Sequence, residues 1–356
     1  MRAESLLFLE TLVNTPSPVG YETRGLRVWL DYAAQYADET FSDAYGNCVA
    51  VLNKGGGPRL MLAAHADEIA MSVNFITAEG YIHVRRTGGI DAAITKAQRV
   101  TIHTRSGPVL GVVGNVAPHL TSGEAKVEVP KIHELFIDIG VASKVEAFKY
   151  VRIGDPITLN DRFEILRGDL AVARAFDNRI GTFAVAETLR LLKSVARELN
   201  VEVCAVANVQ EEVGLLGARQ IAYSLNPQVA LVVDVTHATD YPTIDQRRHG
   251  EVKLGAGPAL THGGCNHPQV LARLEEIAAQ KNIPLQHEAM SASSGTDTDV
   301  IFWTRGGIPS GLVSLPNRYM HSPVEVVNLK DLEYIPELLA GFALSIGKGE
   351  TFKVVI

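Results

Sequence analysis

The chain contains 356 residues, of which 46% are hydrophobic and 21% are charged, and its formal net charge is −7. This composition is that of a globular protein, and the length favours two domains over one. A mildly acidic chain without long runs of one sign argues against a nucleic-acid-binding surface.

The sequence shows none of the usual signs of membrane insertion or export. No apolar stretch approaches the roughly 20 residues that span a bilayer, and residues 1–13 lack the layout of a signal peptide. The three cysteines, Cys48, Cys204 and Cys265, are odd in number, far apart and in no CxxC pair. We therefore expect a cytoplasmic protein with no membrane partner and no disulfide framework.

The first 65 residues alternate predicted helices with predicted strands. Leucine and valine at helical spacing near the start indicate an amphipathic helix, and a turn with two prolines near 15–20 ends it. The second predicted strand leads directly to His65. The helices are predicted over 3–13 and 22–36, and the strands over 47–53 and 58–64.

Residues 71–165 have a different texture, with short β-branched runs separated by turn residues. One short helical stretch, near 143–148, interrupts them. This pattern is typical of a small β-barrel or sandwich. We therefore expect an inserted β-rich domain. Its strands are predicted near 80–86, 99–104, 109–116, 135–139 and 156–159.

After residue 165, helices and strands alternate again, and two apolar runs, 201–209 and 230–235, are typical of buried parallel strands. The remaining predicted elements are helices over 178–196, 215–224, 266–281, 297–305 and 330–347, and strands near 284–288 and 309–315. The predicted fold class is α/β, with a mixed central sheet flanked by helices. Residues 1–70 and 166–356 would form this α/β domain, and residues 71–165 the inserted small β-barrel domain.

Seven potential metal ligands lie where predicted strands end or helices begin. In an extended segment His65 and Asp67 point to the same face, so Asp67 could contact the second nitrogen of a metal-bound imidazole. The alternative is an exposed polar turn. Asp177 precedes a predicted helix, where a carboxylate either caps the helix or bridges two ions. His321 is either a ligand or an ordinary surface or packed histidine.

The other candidates interrupt or end apolar runs. Glu211 and Glu212 end the strand predicted over 201–209, and adjacent like charges repel unless a cation compensates them. The alternative is a solvated loop. Asp234 lies inside an apolar run, where a lone carboxylate is costly unless it is paired or bound to a metal. Neighbouring side chains of an extended strand point apart, so the two glutamates are not expected to bind one ion. Two further candidates for contacts behind the ligands are His237 and Asp240.

Taken together, these residues resemble the M42 family of metallo-aminopeptidases, and the resemblance covers essentially the whole chain. Imidazole and carboxylate ligands without thiolates suit zinc, cobalt or manganese in a hydrolytic site. The resemblance rests on the order of the ligands and on the segments 175–179, 209–214, 235–240, 294–297 and 320–323.

The resemblance implies a peptide-cleaving aminopeptidase that binds two divalent ions, zinc or cobalt first and manganese as a further option. It implies Glu211 as the general base and Asp67 as the residue that orients His65. It also implies a homo-oligomer, in which the inserted domain forms dimers that assemble into a tetrahedral dodecamer. The implied ligands are His65, Asp177 and Asp234 for one ion, and Asp177, Glu212 and His321 for the other.

Three other functions stay open at this stage. A glycoside hydrolase of the endoglucanase type would place two carboxylates roughly 5–10 Å apart and has no need of the histidines. A binuclear deacylase would act on acetylated small molecules. A non-catalytic scaffold would not need so many buried carboxylates. Chelator sensitivity separates the first from a metallopeptidase, and comparison of a free-amine peptide with its N-acetyl form separates the second.

Overall fold

The computed structural model describes residues 1–120, 129–354 and 356. Residues 121–128, inside the predicted insert, and residue 355 lie outside the described part. Within that part the chain forms a mixed eleven-stranded sheet and a closed barrel of six strands. The predicted fold class, an α/β domain with a mixed central sheet and an additional small β-barrel, is confirmed.

The strands fall into three stretches of the chain. The first is β1 (Glu39–Ser42), β2 (Cys48–Leu52) and β3 (Arg59–His65). The barrel follows with β4 (Ala70–Ile76), β5 (Ile82–Thr87), β6 (Arg99–Thr104), β7 (Gly107–Val113), β8 (Phe136–Asp138) and β9 (Pro156–Leu159). The larger sheet resumes with β10 (Glu164–Arg167), β11 (Leu170–Ala173), β12 (Glu202–Asn208), β13 (Val229–His237), β14 (Ala259–His262), β15 (Gln286–Ala289), β16 (Ser310–Arg318) and β17 (Glu325–Asn328).

Parallel strands form the centre of the larger sheet. β12, β3, β13 and β16 lie side by side and parallel, so that Asn208 is opposite His65 and Asp234 is opposite Ser314. Antiparallel strands flank them, β2 and β1 on one side and β17, β11 and β10 on the other. Strands covered on both faces need apolar side chains throughout. Accordingly every residue of β12 is buried, and its interior residues, 203–207, are all apolar.

Helices cover both faces of this sheet. The helices of the described residues are α1 (Ala3–Asn14), α2 (Thr23–Ala33), α3 (Ala92–Thr95), α4 (Lys144–Tyr150), α5 (Phe176–Lys193), α6 (Leu216–Leu225), α7 (Gln246–His249), α8 (Pro268–Lys281), α9 (Thr298–Ile301) and α10 (Leu329–Ser345). Two of them, α3 and α4, lie between strands of the barrel, and α7 is an exposed turn of helix between β13 and β14. One face of the sheet, where Trp29 is fully buried, is covered by α1, α2, α5, α8 and α10. The other face, around Ile221, is covered by α6 and α9. At Gly181, α5 approaches the sheet so closely that a Cβ would lie 2.8 Å from Ala64 Cβ.

The barrel has its own core. Its strands follow the order β4-β5-β8-β7-β6-β9, all neighbours are antiparallel, and Met71, Val84 and Ile157 pack in its interior. The barrel strands run from Ala70 to Leu159. β10 crosses the predicted boundary at residue 165, and it pairs with β11 in the larger sheet. The division of the chain at 71–165 stays a prediction.

Most predicted helices and strands are present, with ends shifted by a few residues. The helix predicted over 297–305 is shorter, since α9 ends at Ile301 and Arg305 has a left-handed φ of 56°. The sequence patterns missed β1, β4, β10, β11, β14 and β17. All of these except β4 have only four residues, too few to show a clear apolar period. The alternation of β4 is broken by two consecutive exposed residues at an irregularity between Val73 and Phe75. Among the described residues, no helix combines the length and hydropathy needed to cross a bilayer.

Candidate metal centre

The ligand-type side chains converge at one edge of the sheet. His65 is the last residue of β3, Asp234 lies near the end of β13, and Glu211 and Glu212 follow β12. His321 follows β16. Because these four strands are parallel, their carboxyl ends meet at the same edge, which is where open α/β sheets bind ligands. All five residues border an open cavity of about 590 Å³.

Asp177 lies at the centre of this group. Its Oδ1 is 3.1 Å from His65 Nε2, and its Oδ2 is 3.2 Å from His321 Nε2. The alternative role as a helix cap belongs instead to Asn178, whose Oδ1 accepts a hydrogen bond from the Gly181 backbone N–H at 3.0 Å. The two oxygens of Asp177 therefore face two different histidines.

On one side of Asp177 lie Glu212 and His321. The ligand atoms of these three residues lie within 4.8 Å of one another, and His321 Nε2 is 3.4 Å from Glu212 Oε1. Glu212 Oε1 is buried and has no hydrogen-bond partner among the described residues. Orphaned acceptors of this kind are rare in protein interiors, and a cation is one partner that satisfies them. The sequence prediction grouped the same three residues.

On the other side lie His65, Glu211 and Asp234, whose ligand atoms also lie within 4.8 Å of one another. His65 Nε2 is 3.8 Å from both Glu211 Oε2 and Asp234 Oδ1. The sequence prediction grouped His65 and Asp234 with Asp177 and gave Glu211 a different role. The structure places Asp177 nearest to His65, with Glu211 and Asp234 equally distant.

The residues present fit a pair of divalent ions. Asp177, Glu211 and Asp234 are 7%, 9% and 4% exposed, and the Glu212 side chain is 5% exposed. Buried carboxylates this close together are costly unless cations compensate their charge. Two imidazoles with carboxylate oxygens, and no thiolate, form the donor set that suits zinc, cobalt or manganese.

The acid–base properties of the group show the same need for positive charge. Burial raises the pKa of Glu211 to about 10 and raises the pKa of Asp234 well above its ordinary value. Burial acts on Asp177 in the same direction, but hydrogen bonds from His321 and His65 hold its pKa below the usual range. Burial lowers the pKa of His321, but contacts with carboxylates outweigh it and raise the pKa to about 11. The carboxylates thus require either protonated imidazoles or metal ions beside them.

Asp67 lies behind the candidate ligands and is fully buried. Its Oδ1 is 3.4 Å from His65 Nδ1, which is long for a hydrogen bond. The same carboxylate accepts hydrogen bonds from the backbone N–H groups of Glu211 at 3.0 Å and Glu212 at 3.1 Å. Asp67 therefore faces the histidine and also holds the turn that carries both glutamates.

The family model described as M42 glutamyl aminopeptidase matches residues 46–338. This chain belongs to the M42 family. The predictions of this family and of aminopeptidase activity are confirmed, and the chain is a peptidase that hydrolyses peptide bonds. The glycosidase, deacylase and scaffold alternatives are set aside.

Relatives resemble this M42 peptidase along nearly their whole length. The lysyl aminopeptidase of Pyrococcus furiosus is 34% identical over 331 residues, which cover 91% of this chain and 92% of the relative. A TET aminopeptidase from the marine sediment archaeon Thaumarchaeota archaeon SCGC AB-539-E09 superposes with a TM-score of 0.91 at 33% identity, covering 96% of each chain. The TET1 peptidase of Pyrococcus horikoshii, which assembles into a tetrahedron or a large octahedral shell, has a TM-score of 0.86 at 30% identity, covering 96% of this chain and 100% of its own.

The sequence analysis missed Glu325 in this M42 peptidase. Its Oε2 accepts a hydrogen bond from the Asp177 backbone N–H at 2.9 Å, and its Oε1 accepts one from the His321 backbone N–H at 3.0 Å. Burial, and then repulsion from Asp177, raises the pKa of Glu325 to about 8. A glutamate among the valines of β17 is the one local sign of this role.

Asp297 is a second residue without a role in the sequence analysis, although it lies in the motif segment 294–297. It is fully buried and accepts a hydrogen bond from Asn208 Nδ2 at 2.7 Å. Burial raises its pKa to about 6. Because Asn208 is opposite His65 in the sheet, this pair supports the strand ends that carry the candidate ligands.

His237 and Asp240, the two residues suggested to lie behind the candidate ligands, have different surroundings. His237, the last residue of β13, borders the cavity. Asp240 instead accepts two hydrogen bonds from Arg318, from Nε and Nη2 at 2.7 Å each. Its carboxylate is therefore committed to a salt bridge with Arg318.

Proposed function

We propose that this M42 enzyme uses two divalent metal ions, zinc or cobalt or else manganese, to release N-terminal residues from peptides. The observation that supports two ions is the position of Asp177, whose two oxygens lie 3.1 and 3.2 Å from two different histidines. The proposed ligands are His65, Asp177 and Asp234 for one ion, and Asp177, Glu212 and His321 for the other.

When bound, such ions polarise the scissile carbonyl, stabilise negative charge on its oxygen and acidify a water molecule. Glu211 is the proposed general base, because its carboxylate is buried, borders the cavity and lies 3.8 Å from His65 Nε2. Asp67 holds the backbone of Glu211 and Glu212, so that one side chain serves as ligand while the other receives the proton of the attacking water.

The roles of the two glutamates are tested by replacing each with glutamine. Glutamine keeps the size of glutamate but does not accept a proton at neutral pH. Glu211→Gln should bind both ions and lose activity by about 10²–10⁴-fold. Glu212→Gln should lose one ion. Metal content and kcat of both variants decide between this assignment and the alternative that Glu211 is itself a ligand, in which case Glu211→Gln loses metal and Glu212→Gln keeps both ions.

The activity itself is tested with a matched pair of peptides that differ only in acetylation of the α-amine. Chelation should abolish cleavage, and zinc, cobalt or manganese should restore it. The metal-loaded enzyme should release the first residue of the free peptide and leave the acetylated peptide intact. Internal cleavage of both peptides at equal rates would refute an exopeptidase. A panel of free peptides then gives the preferred N-terminal residue.

We also infer that residues 71–165 form the first subunit contact and that dimers build a tetrahedral dodecamer. β7 supports this proposal, because Leu110 and Val112 are 69% and 49% exposed on one face of the barrel. The double variant Leu110→Asp, Val112→Asp should have a smaller mass in solution, whereas Leu7→Asp, at an equally exposed leucine of α1, should keep the native mass. An unchanged mass in the double variant would contradict the proposal. The three free cysteines support a cytoplasmic location, which cell fractionation tests.

A further inference from the structure

Three side chains outside the catalytic cavity are grouped like metal ligands. His262 ends β14, His287 lies in β15, and Glu275 lies on α8. One ligand atom from each lies within 4.8 Å of the others. The group joins two paired strands to a neighbouring helix.

Strand geometry separates this group from the catalytic site. Side chains alternate between the faces of a strand. Glu288 borders the catalytic cavity and accepts a hydrogen bond from Thr261 Oγ1 at 2.6 Å. The neighbouring residues His287 and His262 therefore point to the opposite face. The register of the two parallel strands makes them diagonal neighbours there, since Leu260, two residues before His262, is opposite His287.

The distances converge on a small volume between the three side chains. His262 Nε2 is 2.9 Å from His287 Nδ1, and each nitrogen is 3.9 Å from Glu275 Oε1. A neutral imidazole carries its proton on one nitrogen only. When the protons sit on His262 Nδ1 and His287 Nε2, the two lone pairs face each other beside a carboxylate. A cation between them turns this repulsion into coordination.

Only a small adjustment separates this arrangement from a metal site. With zinc–nitrogen bonds of about 2.0–2.1 Å, two ligand atoms of a tetrahedral site lie about 3.4 Å apart. The nitrogens would separate by about 0.5 Å and the carboxylate would approach by the same amount. The side chains of His262, Glu275 and His287 are 45%, 44% and 49% exposed, so they have room to rotate and solvent can complete the coordination.

We propose that His262, Glu275 and His287 bind a further divalent metal ion of the zinc type, separate from the catalytic centre. Two imidazoles with one carboxylate favour zinc over calcium or magnesium, which prefer oxygen ligands. The ion would tie α8 to β15, whose other face carries Glu288 into the catalytic cavity. Its role is thus to stabilise the wall of that cavity.

The test is the metal content of the full-length protein at saturating zinc, with His287→Gln and His262→Gln as the main variants. Each should hold one zinc ion fewer than the wild type. Glu275→Gln should bind this zinc ion at least about tenfold more weakly. His133→Gln, at an exposed histidine of the barrel segment, is the matched control and should equal the wild type. Excess calcium should not displace the ion.

The result is a difference between variants, so it does not depend on how many ions the catalytic centre holds. Retained peptidase activity in His262→Gln and His287→Gln shows that the catalytic ions are still bound. Zinc should also raise the melting temperature of the wild type more than that of these two variants. Equal zinc content in the wild type and in both histidine variants would overturn the proposal, and so would loss of the ion in His133→Gln.

Discussion

Replacing Gly89 by alanine tests the metal centre without changing any proposed ligand. Gly89 follows β5 and packs against the His321 ring, so a Cβ at this position would lie 2.5 Å from His321 Nδ1 and 2.7 Å from Cε1. Ordinary contact begins near 3.4 Å, and the ring would therefore have to retreat by about 1 Å. The φ angle of Gly89 is not in the left-handed region, so alanine itself fits the backbone.

This displacement is large for metal binding and small for folding. A metal–nitrogen bond of about 2.0–2.1 Å tolerates a deviation of about 0.2 Å, several times less than the required shift. The His321 side chain is 35% exposed and can rotate away from Gly89. We expect the affinity for the ion held by His321 to fall by at least about tenfold. The free energy of unfolding of the metal-free protein should change by less than about 1 kcal/mol.

Competition with a chromogenic chelator measures the affinity, and denaturant unfolding in excess chelator measures the metal-free stability. Gly306→Ala is the matched control, because no described atom lies within 4 Å of a Cβ placed there. It should bind both ions as the wild type does. If Gly89→Ala holds two ions with wild-type affinity, His321 is not a ligand in the observed position. If the metal-free variant is several kcal/mol less stable, the substitution disturbs the fold and not the ring alone.

Asp177→Ala should lower the metal content of the protein more than any other ligand substitution, because one carboxylate faces both histidines. Metal analysis that finds two ions at full occupancy in this variant would contradict the prediction. His103 in β6 has its pKa lowered by burial to about 4, so the stability it contributes is present above the unfolded value of about 6.5 and is lost as the pH falls towards 4. When the pH falls from about 7 to about 4.5, the free energy of unfolding should decrease by about 2 kcal/mol less in His103→Gln than in the wild type, allowing for partial exposure of the side chain. Equal decreases in denaturant titrations would refute the assignment. Burial raises the pKa values of Cys48 and Cys204 to about 12 each, so both should react with an alkylating reagent at neutral pH far more slowly in the folded protein than in denaturant. Equal labelling rates would show that the thiols are accessible.

The sequence alone determined which residues are chemically unusual. Glu211 and Glu212 end an apolar run and Asp234 interrupts another, and both patterns are visible within ten residues. Charged groups at such positions are costly unless a function compensates them, so a local pattern is enough to detect them. The buried central strands were predicted for the same reason, because a strand covered on both faces is apolar throughout.

The sequence did not determine which partners these residues have. Whether Asp177 caps a helix or faces two histidines depends on where distant segments place His65, His321 and Glu325, the last of which lies 148 residues away in the chain. The group of His262, Glu275 and His287 likewise exists only because β14 and β15 pair beside α8. A local pattern shows that a polar group is buried at an energetic cost. The partner that compensates this cost comes from a distant segment of the chain, so only the tertiary structure identifies it.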